Sequence, residues 1–327
     1  MDKSLNKIGG FKMRIAFLNL CHCEPEIVAR VAGKLTEHPD FDMYIHVDAK
    51  ADSQPFEALL KGNKQVHFIK DRVKVYWGGY HAIEATYRLL REALASDRGY
   101  EYFVLLQNLD YPIHCNTYID RFFTEQAGTE FIRGCKIANT KDWHYARKYK
   151  IYNKRDDDFY LKQHSRPMKL LHDGILALRS IPTLFFNGVM KENGEEYFMH
   201  YGAAQWAVTR KCAKIFDEFE RTHPKINQIM RHIQFPDEEY FHTIVHSTDL
   251  KYHCIKYDEP ERRWLVNWRN IHYFEYPKTI TVFEEKDFDT IMKQEVLFVR
   301  KVRAGVSDSL MDKIDCAIQE EELYIRQ

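Results

Sequence analysis

Apolar and polar positions along the first third of the chain switch between two periods. Residues 14–20 (Arg-Ile-Ala-Phe-Leu-Asn-Leu) are a short, almost unbroken apolar run of the kind a strand buried on both faces shows. Glu24-Pro25-Glu26 then opens a helix with Ile27, Val28, Val31 and Leu35 on one side. Residues 43–48 repeat the strand pattern and end in the carboxylate of Asp48. Asp52 or Ser53 can cap a second helix with Pro55 in its first turn, and 66–69 makes a third strand. Strand, helix, strand, helix, strand is the rhythm of a parallel sheet with helices on its faces, which binds ligands beyond the carboxyl ends of its strands.

The same reading carries on down the chain. Trp77-Gly78-Gly79-Tyr80 is a turn in which glycine permits close backbone approach, and 81–96 is a helix with Ile83, Tyr87, Leu90 and Leu94 at core spacing. Residues 102–106 form the most strand-like segment and run into Gln107-Asn108-Leu109-Asp110-Tyr111-Pro112, polar groups delivered where a site is expected. Phe131-Ile132 reads as another short strand. Between 141 and 166 aromatics alternate with cations (Trp143, Tyr145, Arg147, Lys148, Tyr149, Lys150, Tyr152, Lys154, Arg155), which suits either a sugar or phosphate surface or a solvated connection. A helix over 169–178, a strand over 201–208 and a helix over 211–219 follow. At 235–247, Pro236 can sit in a first helical turn, Asp237, Glu238 and Glu239 gather at its positive end, and Tyr240, Phe241, Ile244 and Val245 continue as an apolar stripe. Basic groups return at Arg262-Arg263 and Arg300-Lys301.

Composition narrows the classes. Lys plus Arg and Asp plus Glu both number 48 in 327 residues, so the net charge is zero and nucleic acid is not an expected partner. Any anion site must rest on local charge. Twenty Tyr and 21 Phe suit aromatic-lined clefts as well as a large core. The seven cysteines are an odd number without a regular framework, which favours a reducing compartment, and Cys21-His22-Cys23 lacks the second pair a zinc site needs. No apolar run reaches the roughly 20 residues of a membrane span, and residues 1–7 read as neither signal peptide nor anchor. The expected location is therefore cytoplasmic, with peripheral contact to the inner face of a membrane compatible with a lipid-linked substrate. Oligomeric state stays open.

Several familiar chemistries drop out. His242 and His246 stand four apart as in a zinc protease, but Thr243 occupies the place of the general-base Glu. There is no P-loop, no G-x-G-x-x-G after the first strand and no Ser nucleophile elbow. A sugar-nucleotide transferase needs a nucleoside pocket, positive charge for a departing diphosphate and a base for the attacking hydroxyl. The α/β half can supply the pocket. D-x-D matches at Asp40/Asp42, Asp156/Asp158 and Asp287/Asp289 do not follow a strand of the right character, so the charge is expected from Arg300 and Lys301, with Arg262 or Arg263, and no metal is expected. Glu238 is the candidate base, with Asp237 and Glu239 as cap and rim.

These residues in this order resemble the core-2/I-branching β-1,6-N-acetylglucosaminyltransferase family (glycosyltransferase family 14), which includes xylosyltransferases and glucuronosyltransferase-like members. The resemblance covers roughly residues 13–318. It is carried by I-H-V-D at 45–48, W-G-G-Y at 77–80, D-Y-P-I at 110–113, Y-G-A-A-Q-W at 201–206, P-D-E-E-Y-F-H-T at 236–243 and F-V-R-K-V at 298–302. It implies a GT-A-like α/β fold with a mixed, mostly parallel central sheet flanked by helices and no metal-binding D-x-D. It further implies a UDP-sugar donor, a glycan or lipid-linked acceptor, and an inverting single displacement. By position, Glu238 matches the family's base, Lys301 the diphosphate-contacting residue, an Arg of the 262–263 pair its partner, and Asp48 the uridine contact; on the same resemblance Trp77, Gly78 and Asp110 join Asp48 as candidate nucleoside contacts, and Trp206, Tyr201 and Trp268 are the candidate acceptor contacts. The expected organisation is a nucleotide-sugar half (13–135), a basic and aromatic connection (136–200) and an acceptor and catalytic half (201–327), packed as one domain. The expected sugar is N-acetylglucosamine, with xylose or glucuronic acid as alternatives, and the chain reads as a bacterial member. A non-catalytic glycan-binding protein on the same scaffold, or a hydrolase with paired carboxylates, also remains open.

Overall fold

The computed structural model describes residues 13–255 and 269–326. Its central sheet has five strands in the order Ala207–Thr209, Tyr102–Gln107, Ile15–Cys21, Phe41–Val47, Val66–Phe68. All neighbours run parallel except the edge strand Ala207–Thr209, which is antiparallel to Tyr102–Gln107. The strands read as nearly continuous apolar runs because both faces are covered. Ile15 and Phe17 go to one side with Met43, Ile45 and Ile27, Val28 and Val31 of the helix Pro25–Leu35. Ala16 and Leu18 go to the other with Phe103, Leu105 and Ile83, Tyr87 and Leu90 of the helix His81–Ala95. Each such side chain taken out of water contributes about 1.5–3 kcal/mol, so the alternation alone pins the register. This is the mixed α/β architecture, with a mostly parallel sheet flanked by helices, that the GT-A-like reading anticipates.

The first strand has the second on one side and Tyr102–Gln107 on the other, so the connections diverge at its carboxyl end and open a crevice there. A three-stranded sheet sits beyond that point: His272–Tyr273 runs parallel to Phe298–Arg300, which runs antiparallel to Asp110–Pro112. Arg300, from late in the chain, thus reaches the crevice through a sheet separate from the central one.

Some elements depart from the sequence reading. The strand expected over 201–208 is two short ones, His200–Gly202 paired with Gly134–Lys136, and Ala207–Thr209 in the central sheet. The expected strand at Phe131-Ile132 is a single bridge from Phe131 to Ala207. Pro236 opens a 3-10 turn, Pro236–Glu238, and the α-helix starts only at Tyr240 and ends at His246. The helix expected over 169–178 spans Arg166–Thr183. A hairpin, Val189–Glu192 with Glu195–Phe198, turns through Asn193 and Gly194, both at positive φ.

Candidate active site

A cleft of about 1290 Å³ opens at the carboxyl ends of the first, second and fourth strands in chain order. Its sheet side is formed by His22, Asp48, Gln107 and Asn108. Asn108 is buried and accepts the backbone N–H groups of His22 (2.6 Å) and Cys23 (2.8 Å), which fixes the loop after the first strand. Asp48 takes Lys50 N (2.8 Å) and Lys50 Nζ (2.6 Å), and the same ammonium reaches Val75 O and lies over the Tyr76 ring. Asp48 is therefore in the cleft, as expected, and shares its carboxylate with a lysine of the same wall.

Trp77 and Gly78 also line the cleft. At Gly78, φ is +75°, and a Cβ there would come within 2.9 Å of the Phe235 ring. Glycine is needed so that Phe235, whose N–H donates to Gly78 O, can seat against this turn with Trp77 edge-on to its ring. The turn thereby positions the residue just before Pro236–Glu238.

Glu238 faces the cleft, and its Oε2 accepts Lys148 Nζ at 2.8 Å. The same ammonium lies 2.9 Å from Glu239 Oε1 as an ion pair, and 4.4 Å from the centre of the Tyr201 ring. Lys148 comes from the helix Trp143–Lys150, where Tyr145 and Tyr149 share its buried side. Burial disfavours its charge, but Glu238 and Glu239 more than offset this and hold the ammonium above the usual lysine range. Glu239 is fully buried, so its expected place on the rim is corrected: it is the inner anchor of Lys148. Burial pushes Glu239 well above the usual carboxylate range, with Glu238 adding to the shift. Asp237 also lines the cleft, and burial followed by the neighbouring Glu238 pushes it up to about 7.

The cationic part is built around Asp110. This carboxylate is buried, accepts Gln107 N (2.7 Å), pairs with Arg300 Nη1 (2.7 Å) and lies 3.1 Å from His272 Nε2. Burial works against its charge, yet Arg300 and then His272 outweigh it and hold the carboxyl below its usual range. Asp110 does not line the cleft; its expected role as a nucleoside contact is replaced by that of a post that holds Arg300, which does. Lys301 follows Arg300 but is not in the cleft lining, and no carboxylate pairs with it among the described residues. Burial and its neighbours Arg300 and Arg303 hold its ammonium below the usual lysine range.

Trp206 does not reach the cleft. Ala204 and Gln205 line it, while Trp206 is fully buried against Phe216 and Phe241, so an acceptor contact there is corrected to a core role. Tyr201 does line the cleft. Arg262, Arg263 and Trp268 lie outside the described residues. Of the cations lining the cleft, Arg147 and Lys148 lie in the 141–166 stretch that the sequence left open between a sugar or phosphate surface and a solvated connection, while Lys50 and Lys278 were missed. For Lys148 the signal was present: the spacing of Tyr145, Lys148, Tyr149 and Tyr152 puts this lysine on an aromatic helix face, where a cation needs a buried anion. Of the D-x-D matches, Asp156 accepts Tyr80 N and His81 N at the start of the helix His81–Ala95, and Asp158 binds Lys74 and Tyr76, so both serve protein partners.

Comparison with known proteins bears on this arrangement. The chain is 22% identical to xylosyltransferase 1 of Rattus norvegicus over 315 residues, which is 87% of this chain and 35% of that protein. Against xylosyltransferase 1 of Homo sapiens it is 22% identical over 318 residues, 93% of this chain and 30% of the other. A xylosyltransferase of Ciona intestinalis matches at 22% over 245 residues, 73% of this chain and 25% of its own length. The chain thus spans about a third of these curated relatives or less. The family model described as Core-2/I-Branching enzyme matches residues 15–292, from the first strand of the central sheet to beyond the acidic turn. A match over that much of its length means that the chain belongs to the Core-2/I-Branching enzyme family of glycosyltransferases.

Proposed function

We propose that this chain is an inverting transferase that moves a sugar from a UDP-sugar to a hydroxyl of an acceptor glycan, with Glu238 as general base. The observation that carries the reading is that one cleft at the strand ends is lined by both the Glu238 carboxylate and the Arg300 guanidinium. Glu238 takes the proton of the acceptor hydroxyl, whose oxygen forms a bond to the sugar C1. The bond from C1 to the diphosphate oxygen breaks on the opposite face, and UDP leaves with that electron pair. The new linkage is β.

Arg300, held in place by Asp110, and the adjacent Lys301, which has no carboxylate partner among the described residues, supply the positive charge for the departing diphosphate. Arg300 lines the cleft and Lys301 follows it in the chain, where a bound phosphate would ease the repulsion of Lys301 by Arg300 and Arg303. Fixed cations in this role make a divalent ion unnecessary, and Asp156 and Asp158 already serve other partners. Asp48, Trp77 and Gly78 form the wall for the nucleoside, and Tyr201 beside Lys148 faces the acceptor. The names of the relatives put UDP-xylose first among donors to try; UDP-N-acetylglucosamine, with a β-1,6 linkage, comes second.

The test is UDP release from a panel of UDP-sugars and acceptors, with and without EDTA, in wild type and Glu238→Gln. One donor should turn over with EDTA present, and the variant should lose about 10²–10⁴-fold in kcat. A folded Glu238→Gln protein with wild-type kcat would remove the mechanism, and activity abolished by EDTA would remove its metal independence. Sugar binding without UDP release would favour a glycan-binding role.

A further inference from the structure

The helix Arg166–Thr183 is amphipathic in the reverse sense to a core helix. Met168, Leu170, Leu171, Ile175, Leu178 and Ile181 are between 43 and 72% exposed, and Leu184 and Phe185 continue the exposed apolar surface past its end. At 100° per residue these six helical side chains fall within an arc of about 160°, and no charged residue of the helix falls inside it. Arg166, Lys169, Asp173 and Arg179 lie outside the arc. The opposite side is fastened to the protein: Ser180 Oγ accepts Tyr152 N (2.9 Å), and Thr183 Oγ1 donates to Lys150 O (2.7 Å). The helix is thus fastened through its last turn, where Ser180 is buried, and presents its apolar face outward, an arrangement that marks an interaction surface.

We propose that this helix docks the protein on the surface of an anionic lipid bilayer, lying in the plane of the interface. Three observations select a bilayer over a second copy of the chain. The arc is wider than the narrow stripe that a two-helix seam uses. Its flanks are mainly cationic, so that in a two-fold dimer cations would meet cations, whereas on a bilayer they meet anionic headgroups. Finally, leaving aside Arg147 and Lys148 of the cleft, residues 149–179 hold seven Lys and Arg against four Asp in a chain of zero net charge, so positive charge is in excess on this part of the chain. No helix among the described residues is long and apolar enough to cross a membrane, and an interfacial helix has no need to be. The docked helix packs against Trp143–Lys150, which carries Lys148, and so it brings the cleft to the lipid surface. Docking itself stands apart from the transferase reading; only its benefit for a lipid-linked acceptor rests on that reading.

The experiment is flotation of the full chain with vesicles of phosphatidylcholine alone and of phosphatidylcholine with about 30 mol% phosphatidylglycerol. The protein should float with the anionic vesicles, and less so as salt is raised. The triple variant Leu170→Gln/Leu171→Gln/Leu178→Gln should lose at least about tenfold in partitioning while melting like wild type, since these side chains face solvent. Arg166→Gln/Lys169→Gln should lose several-fold, on the anionic vesicles only. Absence of flotation on anionic vesicles would overturn the proposal, as would flotation that neither variant changes. A dimer in size-exclusion chromatography that the triple variant splits, with no vesicle binding, would assign the face to a second copy instead.

Discussion

In the acidic turn one buried cation, Lys148, pairs with two carboxylates, Glu238 and Glu239, whereas beside the strand Phe298–Arg300 one buried carboxylate, Asp110, faces Arg300 and His272. Each part of the cleft has one buried post, Lys148 or Asp110, held by one buried partner, Glu239 or His272, and by one partner that lines the cleft, Glu238 or Arg300. The lining partner is what a substrate meets. A negative one suits a group that must accept a proton, and a positive one suits a departing diphosphate. The comparison teaches that the two chemical roles share one construction with the signs exchanged.

Removing a post should do more harm than removing any one group it holds, apart from the base itself. Lys148→Met leaves Glu239 buried without a counter-charge and should destabilise the fold by about 3–5 kcal/mol, read as a fall in denaturant midpoint. If that variant unfolds at the wild-type midpoint, the acidic turn has no need of its post and the comparison breaks. Asp110→Asn should cost less, about 2–3 kcal/mol, because Arg300 keeps access to the cleft and its solvent. It should also raise KM for the donor about tenfold with a smaller change in kcat, which separates loosened phosphate binding from lost chemistry.

The smallest expected effect concerns pH and sharpens the comparison. Asp237 is pushed up to about 7 by burial and by Glu238, so it loses its proton as pH rises through that value and adds a negative charge beside the base. A negative charge beside a proposed general base favours its taking a proton, so transfer should rise as pH passes about 7, and Asp237→Asn should flatten that limb of the profile. The sign for stability follows from linkage. The folded state keeps a proton that the unfolded chain releases near 3.8, so this group's contribution is fully present below that value and is lost as pH rises to about 7. The Asn variant should show a shallower decline of stability over this window.

The central sheet and the placing of a site at its strand ends were legible in the sequence, because runs such as 14–20 and 102–106 carry their burial in their own composition. Glu238 was legible from its motif and its position after a proline. Its partner Lys148 stands 90 residues away, and Arg300 stands 190 residues from Asp110. Pairings at that separation leave no local trace, which is why Asp110 reads as a ligand contact from sequence and proves to be a support. Trp206 was misread because Y-G-A-A-Q-W looks like a continuous strand, whereas the chain breaks after Gly202 and the indole turns into the core. Asn193-Gly194 was a hairpin signal with apolar residues on both sides that the reading passed over.

The strand Phe298–Arg300 comes near the end of the chain and closes against Asp110–Pro112, formed from residues made far earlier. Because a contact between distant segments pays its loop-closure entropy before it gains any stability, this pairing belongs to a late stage of folding. During synthesis the early strands can stack into their sheet while Asp110 still waits in water for its guanidinium. The nascent chain then holds the sheet side of the cleft before the Arg300 side, and the cleft is completed only when Arg300 reaches Asp110.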